Sequence, residues 1–486
     1  MPKIKESLTN NKVIIFLFIL STSFFIYQHL TNFSWDFTSY VLNSQYVLGE
    51  GNYYEHYRPP LMTFLLAFLS IFTLPAAEYI LIVLVSLLFA YTSISLANAS
   101  NIDKNLFYLF SLSPFVLLHG LINGTELLSL ALFELFLIFT IKGKKYSGLF
   151  LGLAALTRYN FIIFLILVFI SKDVKKIIKN TLFFILPFIP WLIYSFYKTG
   201  NAFTSFADLY AIGFKFRGYI NLQVNIIDFL WISGLLILIA IIGIMSLYKK
   251  EKTKTNIIIL LILVLTLYQF YTTPLKVVRY LFPLVLPLAY FSVLGTNFIR
   301  NKSQKLFIVL MILTFLFYSS IIPSLSIGNS KEVYKGAISK LDELNIRFCK
   351  ISSNEWVMLN YLGKTTEIFP RKELLQKRIN EGNIVVLFYK TPEPEWVKDK
   401  NFLNQFSVLY ESDDLIILGE KGKCNPEEKV DKTYVELTSN EVNEIYNYTI
   451  NTSPCFTLFD KKHLIEKTCN FVNFKGFKQD ENRNFA

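Results

Sequence analysis

Trp35-Asp36-Phe37 with Tyr40, then Gly49-Glu50-Gly51-Asn52-Tyr53-Tyr54, then His56-Tyr57-Arg58-Pro59-Pro60-Leu61, form an aromatic-rich stretch bracketed by an acid and an arginine. A carboxylate in such a place can take a proton from a hydroxyl. A guanidinium matches the oxygens of a phosphate two at a time. A plainer reading is also open. Asp36 would cap a helix starting at Phe37 or Thr38, and Arg58 would anchor the loop to lipid phosphates, with its tyrosines at headgroup depth. Arg158 falls inside apolar sequence, where ionisable residues are rare and usually functional. Its competing role is structural, as a partner for Glu134 or for a carbonyl freed in a broken helix. His56 and His119 are lone histidines, for which only polar contacts are expected.

The elements that must hold these residues are mostly built for lipid. Of the 486 residues, 53% are hydrophobic and 17% charged, against about 25% charged in an ordinary soluble domain. Long apolar runs follow one another from Asn11 to Leu325, and runs of about 20 residues can cross a bilayer as helices. The first run lacks the small-residue cleavage site of a signal peptide, so it is read as a span. The net charge of +12 does not point to nucleic acid. Its lysines and arginines cluster at Lys3–Lys12, Lys142–Lys145, Lys172–Lys179, Lys249–Lys254 and Arg300–Lys305, each beside an apolar run, as in short cytoplasmic loops.

With the N-terminus inside, Asn11–Leu30 crosses outward and residues 31–60 form an external loop. Ala77–Ala97, Leu106–Leu121 and Glu126–Ile141 follow as spans. Tyr146–Ile170 has basic clusters at both ends, which calls for two half-helices broken near Thr157-Arg158-Tyr159, tolerated where freed backbone faces protein or a wet cavity. Thr181–Tyr197, Ile226–Leu247, Asn256–Tyr271, Tyr280–Phe298 and Leu306–Leu325 complete the path. Leu61–Phe72 is too short to cross and is read as a helix at the outer interface. The fold class is thus a polytopic α-helical membrane protein of about nine spans plus a broken-helix hairpin. The division is 1–328 in the membrane, 329–420 as an extracytoplasmic α/β domain, and 421–486 as a polar tail.

In the outer domain, helix Lys331–Asn345, strand Arg347–Ser352, helix Glu355–Leu362, strand Thr365–Phe369, helix Arg371–Asn380 and strand Asn383–Tyr389 alternate. Ser407–Tyr410 and Leu415–Leu418 close as a hairpin around Asp413-Asp414. The pattern predicts a small parallel or mixed sheet with helices on both faces. No glycine-rich phosphate loop opens these helices, so nucleotide binding is not expected. Cys349, Cys424, Cys455 and Cys469 all lie here, an even number that suits disulfides on an oxidising side. Their pairing is left open, as are the sequons at Asn447 and Asn451.

Five segments combine into a recognisable order. Asp36 follows the first span closely, and Arg58-Pro59-Pro60-Leu61 ends a tyrosine-rich approach. Ser113-Pro114 leads to Asn123-Gly124-Thr125-Glu126. Then come Leu151-Gly152-Leu153-Ala154-Ala155-Leu156-Thr157-Arg158-Tyr159 and Arg279-Tyr280-Leu281-Phe282-Pro283-Leu284 with Pro287. This order resembles the GT-C superfamily of membrane glycosyltransferases, in particular the dolichyl-phosphate-mannose protein mannosyltransferase-like and aminoarabinose transferase-like group. Ser352–Tyr389 resembles the small outer domain of many relatives.

The resemblance implies transfer of a sugar from a polyprenyl (dolichyl-type) phosphate carrier to a protein or glycolipid acceptor, with inversion, on the outer face of the cell membrane. It implies Asp36 as catalytic base and Glu126 as its helper or acceptor guide. Arg58, Arg279 and Arg158 would bind the donor phosphate, and Trp35, Tyr40, His56 and Tyr57 would form the substrate loop. The acid that often adjoins the first is replaced by Phe37. No cofactor is certain, and a divalent metal, if held, would fall to Asp36 and Glu126. The partners expected are the lipid-linked donor, membrane lipids and the acceptor, with no nucleic acid. A transporter or flippase of lipid-linked sugars is the alternative, but it usually shows internal repeats, and none is visible between the two halves.

Overall fold

A helix that is apolar on every side has no stable place in water, and the N-terminal part of the chain folds into helices of this kind. The computed structural model describes residues 2–51, 53–171, 173–199, 202–206, 209, 233–247, 253–273, 277–306, 308–309, 312–313, 329–369, 372–390, 395–426 and 433–434. Its first ten helices are α1 (Pro2–Thr31), α2 (Trp35–Val47), α3 (Pro60–Leu69), α4 (Leu74–Ala99), α5 (Lys104–Ser111), α6 (Pro114–His119), α7 (Glu126–Ile141), α8 (Ser147–Thr157), α9 (Val174–Ile185) and α10 (Phe188–Thr199). Then follow α11 (Leu235–Leu247), α12 (Lys254–Thr272) and α13 (Val285–Lys302). Among the described residues, 4 helices are long and apolar enough to cross a membrane: Lys12–Thr31, Leu74–Ala99, Lys254–Thr272 and Val278–Arg300. The pair α9–α10, bent by 43°, adds another if it acts as one span. The architecture is that of a polytopic helical membrane protein.

Several expected elements appear where the sequence put them. The expected break at residues 157–159 is present: α8 stops at Thr157, Arg158 is extended (φ −151°, ψ 112°), and a 3-10 helix continues over Tyr159–Ile170. The helix α3 has 10 residues, about 15 Å of rise, which is half of what a bilayer core needs. One expected span is corrected. Leu106–Leu121 is not continuous but divides into α5 and α6. The cause is Pro114, which lacks an N–H and pushes Ser113 out of helical geometry (ψ 159°). Thr181–Tyr197 likewise spans the bend between α9 and α10, beside Pro187 and Pro190. Residues 226–232 and most of Leu306–Leu325 lie outside the described residues.

Packing between helices relies on close backbone approach between α8 and α9, where a Cβ on Gly148 would sit 1.9 Å from the Asn180 carbonyl oxygen, and between α11 and α13. A Cβ on Gly243 of α11 would sit 1.9 Å from the Phe291 carbonyl oxygen, and one on Gly295 of α13 would sit 2.1 Å from that of Ile239. Small residues that let two helices touch by their backbones are a common device in membranes. The helix α7 packs against α4 and α8, and its Leu127, Leu130, Ala131, Phe133, Phe136 and Leu137 are all buried.

The C-terminal part carries a mixed five-stranded sheet in the order β5 (Thr366–Ile368), β4 (Ile351–Ser353), β6 (Ile384–Phe388), β8 (Leu415–Leu418), β7 (Val408–Glu411). β4 runs parallel to β5 and β6, and β8 is antiparallel to β6 and β7. Alternation along β6 explains the two layers. Ile384, Val386 and Phe388 face a cluster containing Tyr334, Ala337 and Leu341 of α14 (Lys331–Glu343) and Leu359 of α15 (Trp356–Tyr361). Val385 and Leu387 face Leu375 and Ile379 of α16 (Leu375–Asn380). Helices therefore cover both faces, as the alternation predicts. A disulfide joins Cys349 to Cys424, while Cys455 and Cys469 lie outside the described residues.

Two short ladders tie this part to the segment that follows α1. β1 (Asn32–Phe33) pairs antiparallel with β3 (Asn329–Ser330), and β2 (Tyr53–Tyr54) pairs parallel with β9 (Thr433–Tyr434). Trp35 meets Trp356 edge to face at 4.5 Å, and Tyr361 donates to Glu78 at 3.0 Å, which also accepts from His29 at 2.7 Å.

Glu355 follows β4 and is 6% exposed. Burial pushes its carboxyl up to about 8, only partly offset by a hydrogen bond with Tyr334. A folded-state pKa raised from 4.5 gives stability that is present below that ordinary value and is lost as pH rises through about 8. The melting temperature should therefore fall between about pH 5 and about pH 9, and Glu355→Gln should flatten that fall. A variant with an unchanged slope would assign the pH dependence elsewhere.

Candidate active site

Asp36 does not cap α2. Ser34 occupies the cap position and the helix begins at Trp35, which puts Asp36 inside the first turn. Its carboxylate turns to two arginines instead: Arg58 Nη1 donates to Oδ1 at 2.8 Å, and Arg279 Nη1 donates to Oδ2. Arg279 comes from the 3-10 helix Val278–Leu284 that precedes α13. A side chain two residues into α2 is thus joined to one 243 positions away.

Arg58 is packed as well as paired. The Tyr40 and Tyr57 rings each lie 5.3 Å from its guanidinium carbon, within cation–π range. Its Nε donates to Glu55. Glu55 is 1% exposed, accepts from the Tyr53 hydroxyl, and is tied through its backbone to both ends of the Asn43 amide at 2.8 and 3.0 Å. Burial pushes the Tyr40, Tyr53 and Tyr57 phenols up, so these hydroxyls stay protonated at neutral pH. The reading of the sequence passed over Glu55. Its signal was an acid three residues before the arginine in Glu55-His56-Tyr57-Arg58.

A second pair stands beside the first. Glu126 opens α7, fully buried, and accepts from Arg158, which also donates to Thr125 at 3.2 Å. The turn before α7 needs Gly124, whose φ of +90° suits glycine and whose missing Cβ leaves room for Phe37 and Met62. Arg279 Nη1 is 4.0 Å from Glu126, so it bridges the two pairs. The structure therefore brings Asp36, Arg58, Glu126, Arg158 and Arg279 into one cluster, with Glu55 on its flank. Glu134 is not the partner of Arg158. It lies further along α7 and accepts from Ser93 at 3.0 Å, in a contact between α4 and α7.

The other named residues separate by position. His56 stacks on Trp191 at 5.1 Å and contacts Ser195 at 3.3 Å. His119 packs on Phe115. Trp35 packs against Trp356. A cavity of about 350 Å³ opens next to Arg58, with Asn43, Thr63, Tyr46, Tyr54 and Trp191 on its walls and Val47, Leu48 and Phe64 among its lining. The last three are over a third exposed, so the cavity has a polar, cationic part and an apolar mouth.

A divalent metal on Asp36 and Glu126 fits this arrangement poorly. Both carboxylates are already paired with guanidinium groups, which would repel a cation, and the described residues hold no group of three His, Cys, Asp or Glu able to bind one.

No protein-family model matches the chain, and no curated protein matches it. Solved structures do. ArnT from Cupriavidus metallidurans bound to undecaprenyl phosphate is similar over 85% of this chain and 99% of its own, with a TM-score of 0.58. The chain has the ArnT fold. The apo state of the same ArnT matches over 86% of this chain and 100% of its own, with a TM-score of 0.57. Identity to ArnT is 9% in both comparisons, so the likeness is one of architecture. At that level, the fold that the resemblance in the sequence implied is the fold found. The ArnT fold spans both the helical part and most of the chain beyond it, as the coverage requires.

Proposed function

We propose that the chain is a glycosyltransferase that moves a sugar from a polyprenyl-phosphate carrier to an acceptor hydroxyl, with inversion, at the outer membrane face. The observation that carries this reading is Asp36 held between Arg58 and Arg279 beside an amphiphilic cavity. Asp36 takes the proton of the acceptor hydroxyl as its oxygen bonds to the anomeric carbon. The bond from that carbon to the carrier breaks, and its electron pair leaves on the phosphate. Arg58 and Arg279 stabilise this leaving charge, the term expected to matter most where water is excluded. Arg158 holds Glu126 in place, and Glu126 orients the acceptor.

The cavity supports a lipid carrier as donor. Arg58, Asn43 and Thr63 suit a phosphate head, and Val47, Leu48 and Phe64 suit a prenyl chain leaving toward lipid. The ArnT structure of the same fold was solved with undecaprenyl phosphate bound, and the same class of carrier is inferred here. Placing the basic clusters inside puts the sheet domain outside, on the side of the acceptor. The shared fold does not favour the transporter alternative.

The test is transfer by purified protein from a panel of radiolabelled polyprenyl-phosphate sugars, with native membrane extract as acceptor. Label should move from at least one donor to a new product. If no donor yields a product, while vesicles show a lipid-linked sugar changing leaflets, the transferase reading fails.

A further inference from the structure

Arg58 has two carboxylate partners, and the protein holds them very differently. Glu55 is fixed from several directions: by the Tyr53 hydroxyl, by Arg58 Nε, and by both ends of Asn43. At 1% exposure it cannot give up its cation without leaving a buried carboxylate unpaired, which is strongly unfavourable. The Asp36 side chain is 20% exposed, and among the described residues its hydrogen-bond partners are Arg58 and Arg279. Arg58 reaches the cavity wall, and Asp36 is not among the residues lining it. Burial works against the charge on Arg58, but Glu55 and the surrounding tyrosines more than offset it, and its pKa is raised.

We propose that Glu55 is a positioning residue that keeps Arg58 anchored while the donor's phosphate takes over the guanidinium edge that Asp36 occupies in the structure, which releases Asp36 to act as base. The inference rests on the reading above, in which Arg58 receives the carrier phosphate. It adds an order of events. Without donor, Asp36 is neutralised by Arg58 and Arg279 and is a poor acceptor of protons. With donor bound, the phosphate satisfies both guanidinium groups, and the freed carboxylate faces the acceptor. Donor then binds before acceptor.

The experiment is equilibrium binding of a radiolabelled polyprenyl phosphate without sugar to purified full-length protein in lipid nanodiscs. Asp36→Asn removes the charged competitor for Arg58 and should tighten binding about threefold to tenfold. Glu55→Gln removes the fixed counter-ion and should loosen binding about tenfold, with Glu55→Asp falling between it and the wild type. Opposite signs for the two carboxylates are the expected result. If Asp36→Asn leaves binding unchanged or weakens it, the proposal is overturned and the cluster is a structural network. Should Glu55→Gln not fold, as judged by its melting temperature, the sign of the Asp36→Asn effect decides alone. Arg58→Ala separates the two levels: binding unaffected by it sinks the reading that Arg58 holds phosphate, whereas binding lost with it leaves only the displacement step in question.

Discussion

Asp36→Asn is expected to lower the rate of sugar transfer about 10²- to 10⁴-fold while the protein keeps its fold, the range typical of losing a general base. Asparagine has nearly the same shape and costs at most about 0.7 kcal/mol of helix propensity inside a helix, so α2 should still form. Its amide oxygen can accept from one arginine, but it cannot take a proton from a hydroxyl near neutral pH. Nor are the arginines left without carboxylates, because Arg58 retains Glu55 and Arg279 remains 4.0 Å from Glu126. A purely structural Asp36 would show the reverse pattern, a lower melting temperature with transfer reduced only in proportion to the folded fraction. Single-turnover transfer at saturating donor, measured beside thermal melting, separates the two. Transfer at the wild-type rate would end the catalytic assignment.

Arg158→Met is expected to be among the most destabilising single substitutions in the protein. Glu126 has no exposed surface, and its close cation would be gone, with Arg279 at 4.0 Å as the remaining one. Breaking one partner out of a buried ion pair costs about 3–5 kcal/mol, whereas replacing both by apolar residues is often neutral. The double variant Glu126→Leu with Arg158→Met should therefore recover most of the stability, as read from unfolding in a graded mixture of detergents. The double variant also isolates chemistry from folding. If it folds and still transfers sugar at the wild-type rate, Glu126 and Arg158 are structural only, and the proposed roles for them are withdrawn.

Much of this could be read from the sequence, and what could not has physical reasons. The break at Arg158 was legible because a basic residue inside an apolar run, with basic clusters at both ends, conflicts with a simple crossing. The alternation from Lys331 to Leu418 was legible because the strands are short apolar runs separated by helical periodicity. The break at Pro114 was missed because hydropathy is blind to it: Leu112 and Phe115 are as apolar on either side of the proline as in any span. Asp36 as a helix cap was a local reading of a residue whose partners are distant, and no local rule can anticipate Arg279. Arg158 was offered Glu134, which lies two turns of helix from its real partner Glu126, an error of depth along one helix. Glu55 went unnoticed because an acid in a polar, tyrosine-rich loop looks solvated, and only the fold buries it.

The ladder between β1 and β3 has a consequence for synthesis. The strand next to Asp36 finds its partner at Asn329–Ser330, and the arginine that bridges the acids is itself at 279. A ribosome releases Asp36 and Arg58 long before either arrives. Until then, the first loop must wait on the membrane surface with its charges still hydrated. The site is therefore among the last structures the growing chain completes. A truncated product ending before residue 279 would insert its early helices but would never carry the assembled cluster. Quality control that senses hydrated charge at the bilayer surface would have a long interval in which to act.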